Sequence, residues 1–329
     1  PLQTLRRWWR KLLRRARHLS PRWRERELHA LSEDILKSLY KQKTGELAPD
    51  LFLTETIEAE RLAELPTCLA NLQRAGLVAP TVYQLTPEGE KEALSVIARH
   101  RLYETYLAEH TGYPEQDWHP TAERMEHRMD SHDRTTLARK LGFPRYDPHG
   151  DPIPQPNGAI PSRSGHPLDE LPSQGWVKVT ALQDNPPEVY RRLREIGLYP
   201  GVHLELLQRR EGQLDARLAS QPKSIPQELL PYILAEPATN PPPPGIFLLS
   251  DLTPGEEAEV YAIAPSCRGA IRRRLLDLGF VRGSAVQIAL QSPSRNPTAY
   301  LIRGTTIALR RDQAVHIQVI TPSKEKQKA

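Results

Sequence analysis

Two stretches, RHRLYETYL at residues 99–107 and HPTAERMEHR at residues 119–128, decide how this chain is read. In a helix, residues three and four apart share a face. His100 and Glu104 therefore stand one turn apart on one helix. Glu123, Glu126 and His127 fall at i, i+3 and i+4 on the next, and His119 lies one turn before Glu123. Two helices that each present imidazole and carboxylate to a common groove make a site for a divalent cation. Carboxylates offset the cost of holding a +2 ion, and imidazoles favour transition metals over Mg or Ca. The competing interpretation is structural. A single Glu-x-x-Glu-His is more often a solvated polar face, and His100 alone is more often a boundary histidine. Six such residues on two adjacent helices favour metal.

Upstream, residues 31–110 read as helices. LSEDILKSLYKQ predicts a first one, with Ser32 as N-cap and Leu31, Ile35, Leu36 and Leu39 facing inward. Two shorter ones follow at 54–62 and 63–75, ending at Gly76. Residues 77–85 predict two short strands folded back through Ala79 and Pro80. Thr86 then caps a long helix with Pro87 in its first turn, running to about Thr111. This order is that of a winged helix-turn-helix. Residues 114–142 give a further helical stretch, and a turn-rich linker follows it.

Downstream the chain repeats itself. YRRLREIGLYPGVHLEL (residues 190–206) and RRRLLDLGFVRGSAVQI (residues 272–288) align so that Arg192, Gly197 and Gly201 match Arg274, Gly279 and Gly283. Each copy is a short helix, a Gly C-cap and a turn into alternating strands, which predicts two copies of one small β-barrel.

Composition bounds the rest. The chain has 329 residues and a net charge of +5, but residues 1–29 hold ten Lys/Arg against two Glu, so the other 300 residues are net −3. Leu2, Leu5, Trp9 and Leu12 alternate with Arg6, Arg7, Arg10, Lys11 and Arg14 in that head. Apolar residues with the Trp8–Trp9 pair on one side and Arg on the other are the pattern of a helix on an anionic membrane surface, with phosphate contact on nucleic acid or a plain solvated arm as alternatives. The head lacks the apolar core and cleavage site of a signal peptide. Pro1 follows from initiator-Met removal or marks a piece of something longer. Two cysteines, Cys68 and Cys267, cannot build a disulfide framework, and a reducing, cytoplasmic setting is expected. No run of apolar residues is long enough to span a bilayer. Nucleophile elbow, phosphate loop and dinucleotide fingerprint are all missing, so the chain is not read as an enzyme.

Residues 99–154 resemble the metal-binding and dimerisation region of the diphtheria-toxin-repressor family of iron- and manganese-dependent regulators. LSEDILKSLY resembles the family's first helix, and GLV with LTPEGE resembles the end of its winged helix. The two repeats resemble FeoA-type domains, small barrels of the Src-homology-three type. The expected fold class is multidomain α+β: a winged-helix-like head, a helical metal-binding dimerisation domain and two small SH3-like β-barrels. Expected boundaries are a basic arm at 1–29, the winged-helix domain at 30–98, the metal and dimerisation domain at 99–154, a linker at 155–172, barrels at 173–220 and 246–322, and a Pro-rich spacer at 221–245.

The resemblance implies a primary metal site at Asp34, Glu123, Glu126 and His127, and a second at His100, Glu104 and His119. Iron-responsive members place Met and Cys where this chain has Asp34 and Glu123; hard oxygen shifts preference toward Mn(II), with Fe(II) also compatible. Lys37 stands where manganese-responsive relatives offer another Glu. Pro186 and Val189 occupy positions from which some relatives lend barrel ligands, leaving only the nearby Glu188. The family pairs through the region matching 112–142, which implies a homodimer.

DNA-contact positions fall on Arg61, Thr67, Asn71 and Arg74. Glu55, Glu58, Glu60 and Glu64 crowd that region, Pro66 is expected to shorten or bend the recognition helix, and the wing carries no cation. The first functional expectation is a Mn(II)- or Fe(II)-activated transcriptional regulator that binds duplex DNA. The second is a metal-sensing module of a transport permease, held at the inner face of the membrane by the head. A hydrolytic metalloenzyme ranks last.

Overall fold

The computed structural model describes residues 21–46, 59–80, 83–219 and 221–321. The basic head, with Arg6, Arg7, Trp8, Trp9, Arg10 and Arg14, lies outside them, as do Glu55 and Glu58. The chain divides into two compact units, one from residues up to 104 with 117–145 and 153–161, the other from 105–116, 146–152 and 162 onward.

The first unit is helical. Helix α1 (Pro21–Lys43) supplies Leu31, Ile35, Leu36 and Leu39 to a core completed by Cys68, Leu69 and Leu72 of α2 (Leu65–Arg74) and by Val78 and Ala93. These apolar positions recur at three- and four-residue spacing, and each such burial is worth about 1.5–3 kcal/mol. Two local expectations are corrected. Ser32 caps nothing: α1 starts a full three turns earlier, and the Ser32 hydroxyl donates to the Leu28 carbonyl at 2.8 Å. Pro66 does not bend a helix interior, because α2 begins beside it after a 3-10 turn at Ala59–Glu64. A first-turn proline loses no intrahelical bond.

The expected hairpin is reduced to one bridge, Val78 to Leu85. Thr86 caps α3 (Pro87–His110), its hydroxyl accepting from the Gly89 amide at 3.1 Å. Gly89 is required there, since a Cβ would sit 1.9 Å from the Leu77 carbonyl oxygen. The single stretch expected over 114–142 is two helices, α4 (Trp118–Glu126) and α5 (Ser131–Lys140). Asp130 and Asp133 form a reciprocal capping box that starts α5 afresh.

The second unit carries two six-stranded antiparallel sheets of identical connectivity. Their orders are β1-β6-β2-β3-β4-β5 and β7-β12-β8-β9-β10-β11. In the first, β1 is His166–Pro167, β2 Gly175–Leu182, β3 His203–Arg210, β4 Gln213–Leu218, β5 Gln221–Pro226 and β6 Ile233–Pro237. In the second, β7 is Ile246–Leu248, β8 Glu257–Ile263, β9 Ala285–Gln291, β10 Thr298–Ile302, β11 Thr305–Leu309 and β12 Ile317–Ile320. Helices α6 (Pro187–Ile196) and α7 (Gly269–Asp277) occupy equivalent places. Gly197 and Gly279 turn left-handed after them at φ 98° and 95°.

The first sheet is longer than the expected barrel at 173–220. It opens at His166 inside the expected linker, and the expected spacer at 221–245 supplies β5 and β6. Proline hid β5: Pro222 and Pro226 sit on an edge strand, where a missing N–H costs no ladder bond.

Candidate metal centre

Helix α4 ends at the site. Glu126, its last residue, is fully buried, and His127 is its C-cap. Asp34 of α1 meets them, its Oδ1 3.2 Å from His127 Nε2, which is also 3.6 Å from Glu126 Oε1. A second group lies alongside: His100 Nε2, Glu104 Oε1 and His119 Nδ1 stand 3.0–3.1 Å from one another. Both sets place one ligand atom from each of three residues within 4.8 Å of one another. His100 links them, its Nδ1 lying 2.5 Å from Glu126 Oε2.

The electrostatics are those of a buried charged cluster. Burial alone would raise the Glu126 carboxyl, but the Lys37 ammonium and the His100 ring hold it well below the usual carboxylate range. Burial pushes His127 down, yet its bonds to Asp34 and Glu33 raise it to about 9. His100 is raised as well, because Glu104 and Glu126 outweigh its burial.

Glu123 is not where the primary set requires it. Its side chain is 52% exposed, and its Oε1 lies 3.5 Å from His119 Nε2, beside the second group. The hydrogen bond from His119 lowers its carboxyl to about 2. Sequence reading also missed Glu33. That carboxylate is buried, accepts from Arg99, and lies 2.7 Å from His127 Nδ1, which turns Nε2 toward Asp34 and Glu126. A carboxylate behind a ligating imidazole fixes the ring's tautomer and orientation. Glu33 faces away from α1's apolar stripe, so periodicity gave no signal for it.

Two cations also enter the cluster. Lys37 Nζ donates to Glu126 Oε1 at 2.6 Å, and Arg61 Nη1 to Asp34 Oδ2 at 2.9 Å. Arg61, expected to face DNA, is thus turned inward. Thr67, Asn71 and Arg74 do line the exposed face of α2, where Arg74 donates to Asn71. Glu188 is exposed in the first turn of α6, just after Pro186. The oxygen and imidazole donors, their burial and their spacing fit a transition-metal ion, which Asp34, Glu126 and His127 would hold.

Comparison with known proteins identifies the domains that carry most of these residues. Residues 86–155 match the metal binding and dimerisation domain of iron dependent repressors, and residues 166–237 and 247–321 each match the FeoA domain. The iron-dependent repressor IdeR of Mycobacterium leprae is 30% identical over 165 residues, covering 44% of this chain and 72% of that protein. A solved manganese-dependent transcriptional repressor in complex with manganese has a TM-score of 0.54 at 29% identity, covering 62% of this chain and 99% of that one. A probable metal transport system membrane protein of Chlamydia trachomatis is 36% identical over 86 residues, 26% of this chain; the chain spans 19% of that relative's length. Fold and site thus define a class of chain in which a helical metal-binding and dimerisation domain precedes small β-domains. Within that class, this chain belongs to the iron-dependent repressor family and carries two FeoA domains.

Proposed function

We propose that this protein is a transcriptional regulator activated by Mn(II) or Fe(II), acting as a homodimer on duplex DNA. The observation that carries the proposal is the convergence of Asp34, from the first helix, with Glu126 and His127 at the end of α4. A bound divalent ion would add its positive charge to that of Lys37 and Arg61 among these donors. An ion held by Asp34, Glu126 and His127 would add to the ties that Glu33 and Lys37 already make between α1 and the end of α4, and α2 packs on α1 through Cys68, Leu69 and Leu72. The DNA-facing surface of α2, with Thr67, Asn71 and Arg74, is then set at a fixed position in each protomer, and pairing through residues 112–142 sets the spacing of two such surfaces. His100, Glu104 and His119 would hold a second ion, with Glu123 beside them. The carboxylate at Asp34, a hard oxygen donor, favours Mn(II). A gel shift on duplex DNA from upstream of the chain's own gene, with and without Mn(II), tests this. Retardation that requires the metal supports it, and none at low salt sinks it.

A second reading is a metal-sensing module of a transport system with the basic head on an anionic membrane surface. The similarity to the Chlamydia trachomatis membrane protein supports it, as does the inward turn of Arg61, which removes one cation from the expected DNA-contact positions. Among the described residues no helix is long and apolar enough to cross a membrane. Co-sedimentation with anionic vesicles tests this reading; no association of the full chain removes it.

A further inference from the structure

The two carboxylates nearest His127 Nε2 are not capped alike. Asp34 divides its oxygens: Arg61 takes Oδ2 at 2.9 Å, and Oδ1 is left to face His127 Nε2 at 3.2 Å. Arg61 therefore stands behind Asp34 and leaves the inner oxygen to the cluster. Glu126 has no such division. His100 Nδ1 holds Oε2, and Lys37 Nζ sits 2.6 Å from Oε1, the oxygen that also faces His127 Nε2 at 3.6 Å. Lys37 lies three residues after Asp34 on α1, which puts both on one helical face. In the second group, His100 Nε2, Glu104 Oε1 and His119 Nδ1 stand 3.0–3.1 Å from one another.

We propose that Lys37 is a resident cation of the Asp34–Glu126–His127 cluster, competing with a divalent ion for Glu126 Oε1. The inference rests on the metal-sensor reading given above. The two clusters then load in order. The His100–Glu104–His119 group fills at low free metal, and the Asp34 cluster fills only where the ion displaces the ammonium. The displaced ammonium has a route to water, since the Lys37 side chain is 12% exposed and its four-carbon stem is flexible. An ammonium and a +2 ion on one oxygen repel strongly in a site of reduced dielectric, so the penalty on the second ion is large. Lys37 thereby sets the metal concentration to which the protein responds.

Calorimetric titration of the full chain with Mn(II), with bound metal counted after equilibrium dialysis, tests the assignment. The wild type is expected to bind in two steps separated by about tenfold or more in affinity. Lys37→Met tightens the weaker step by about tenfold or more, while Lys37→Arg, which keeps the charge, retains it. His119→Ala abolishes the tighter step and leaves the weaker. Lys37→Gln, which keeps a donor to Glu126, replaces the Met variant should circular dichroism show that one unfolded. Neutral variants that fold and leave both steps unchanged overturn the role of Lys37 alone. Absence of Mn(II) binding in wild type and variants alike overturns the metal-sensor reading, and the present inference with it.

Discussion

Glu33 shows how far a single residue's role escapes a sequence. Glu126 and His127 were legible because resemblance and helical spacing both pointed to them, and Asp34 because the resemblance did. Glu33, one residue from Asp34, carried neither signal, yet it is buried between Arg99 and His127. Glu123 failed in the opposite sense: its spacing is right, but its position one turn before His127 leaves it half in solvent beside His119. Spacing fixes the face of a helix and not the depth at which the side chain sits. Two outcomes follow at this scale. Glu33→Gln removes the charge that orients His127 and is expected to weaken Mn(II) binding about 10- to 100-fold, read by calorimetric titration. Glu33→Ala is expected to cost about 3–5 kcal/mol as well, because Arg99 is left buried without its carboxylate; urea unfolding measures this.

Helix ends tell the same story for elements. The capping of α3 by Thr86 was legible because the Thr-Pro-Glu-Gly run meets every local requirement of a helix start. The start of α1 was not. Ser32 precedes an apolar stripe and mimics an N-cap, but the polar residues upstream of it are simply the solvated part of the same helix, from Pro21 onward. A sequence shows where burial begins and says less about where hydrogen bonding begins. Alanine substitution separates the two serine and threonine roles. Thr86→Ala should destabilise by about 1 kcal/mol, the usual loss of an N-cap. Ser32→Ala, in mid-helix with its hydroxyl bonded back to Leu28, should fall within about 0.5 kcal/mol of wild type or gain slightly. Equal losses in urea unfolding would show Ser32 to be a cap after all.

At the level of the whole molecule, the duplication was legible from paired glycines and the helix before each, because a left-handed C-cap needs Gly in both copies. The extent of the first sheet was not, because prolines on its edge strand read as spacer. Glu115 was overlooked for a similar reason: it lies in a short 3-10 turn outside any periodic element. It nevertheless anchors α6, accepting from Tyr190 at 2.5 Å and from Arg194 at 2.8 and 2.9 Å. Burial would raise its carboxyl, but those bonds, Arg194's foremost, hold it below the usual value. The direction fixes the pH response. A carboxyl depressed in the folded state adds stability that is fully present above its unfolded value of about 4.3, and that is lost as pH falls through the folded value. Bidentate bonds to a guanidinium that is only partly exposed make this contribution about 1–2 kcal/mol near neutrality. Glu115→Gln should therefore lower the melting temperature at pH 7 and make progressively less difference as the pH falls through the carboxyl's folded value. Scanning calorimetry on the full chain across that range measures the difference, and a deficit that stays constant with pH would show that Glu115 acts by packing and not by charge.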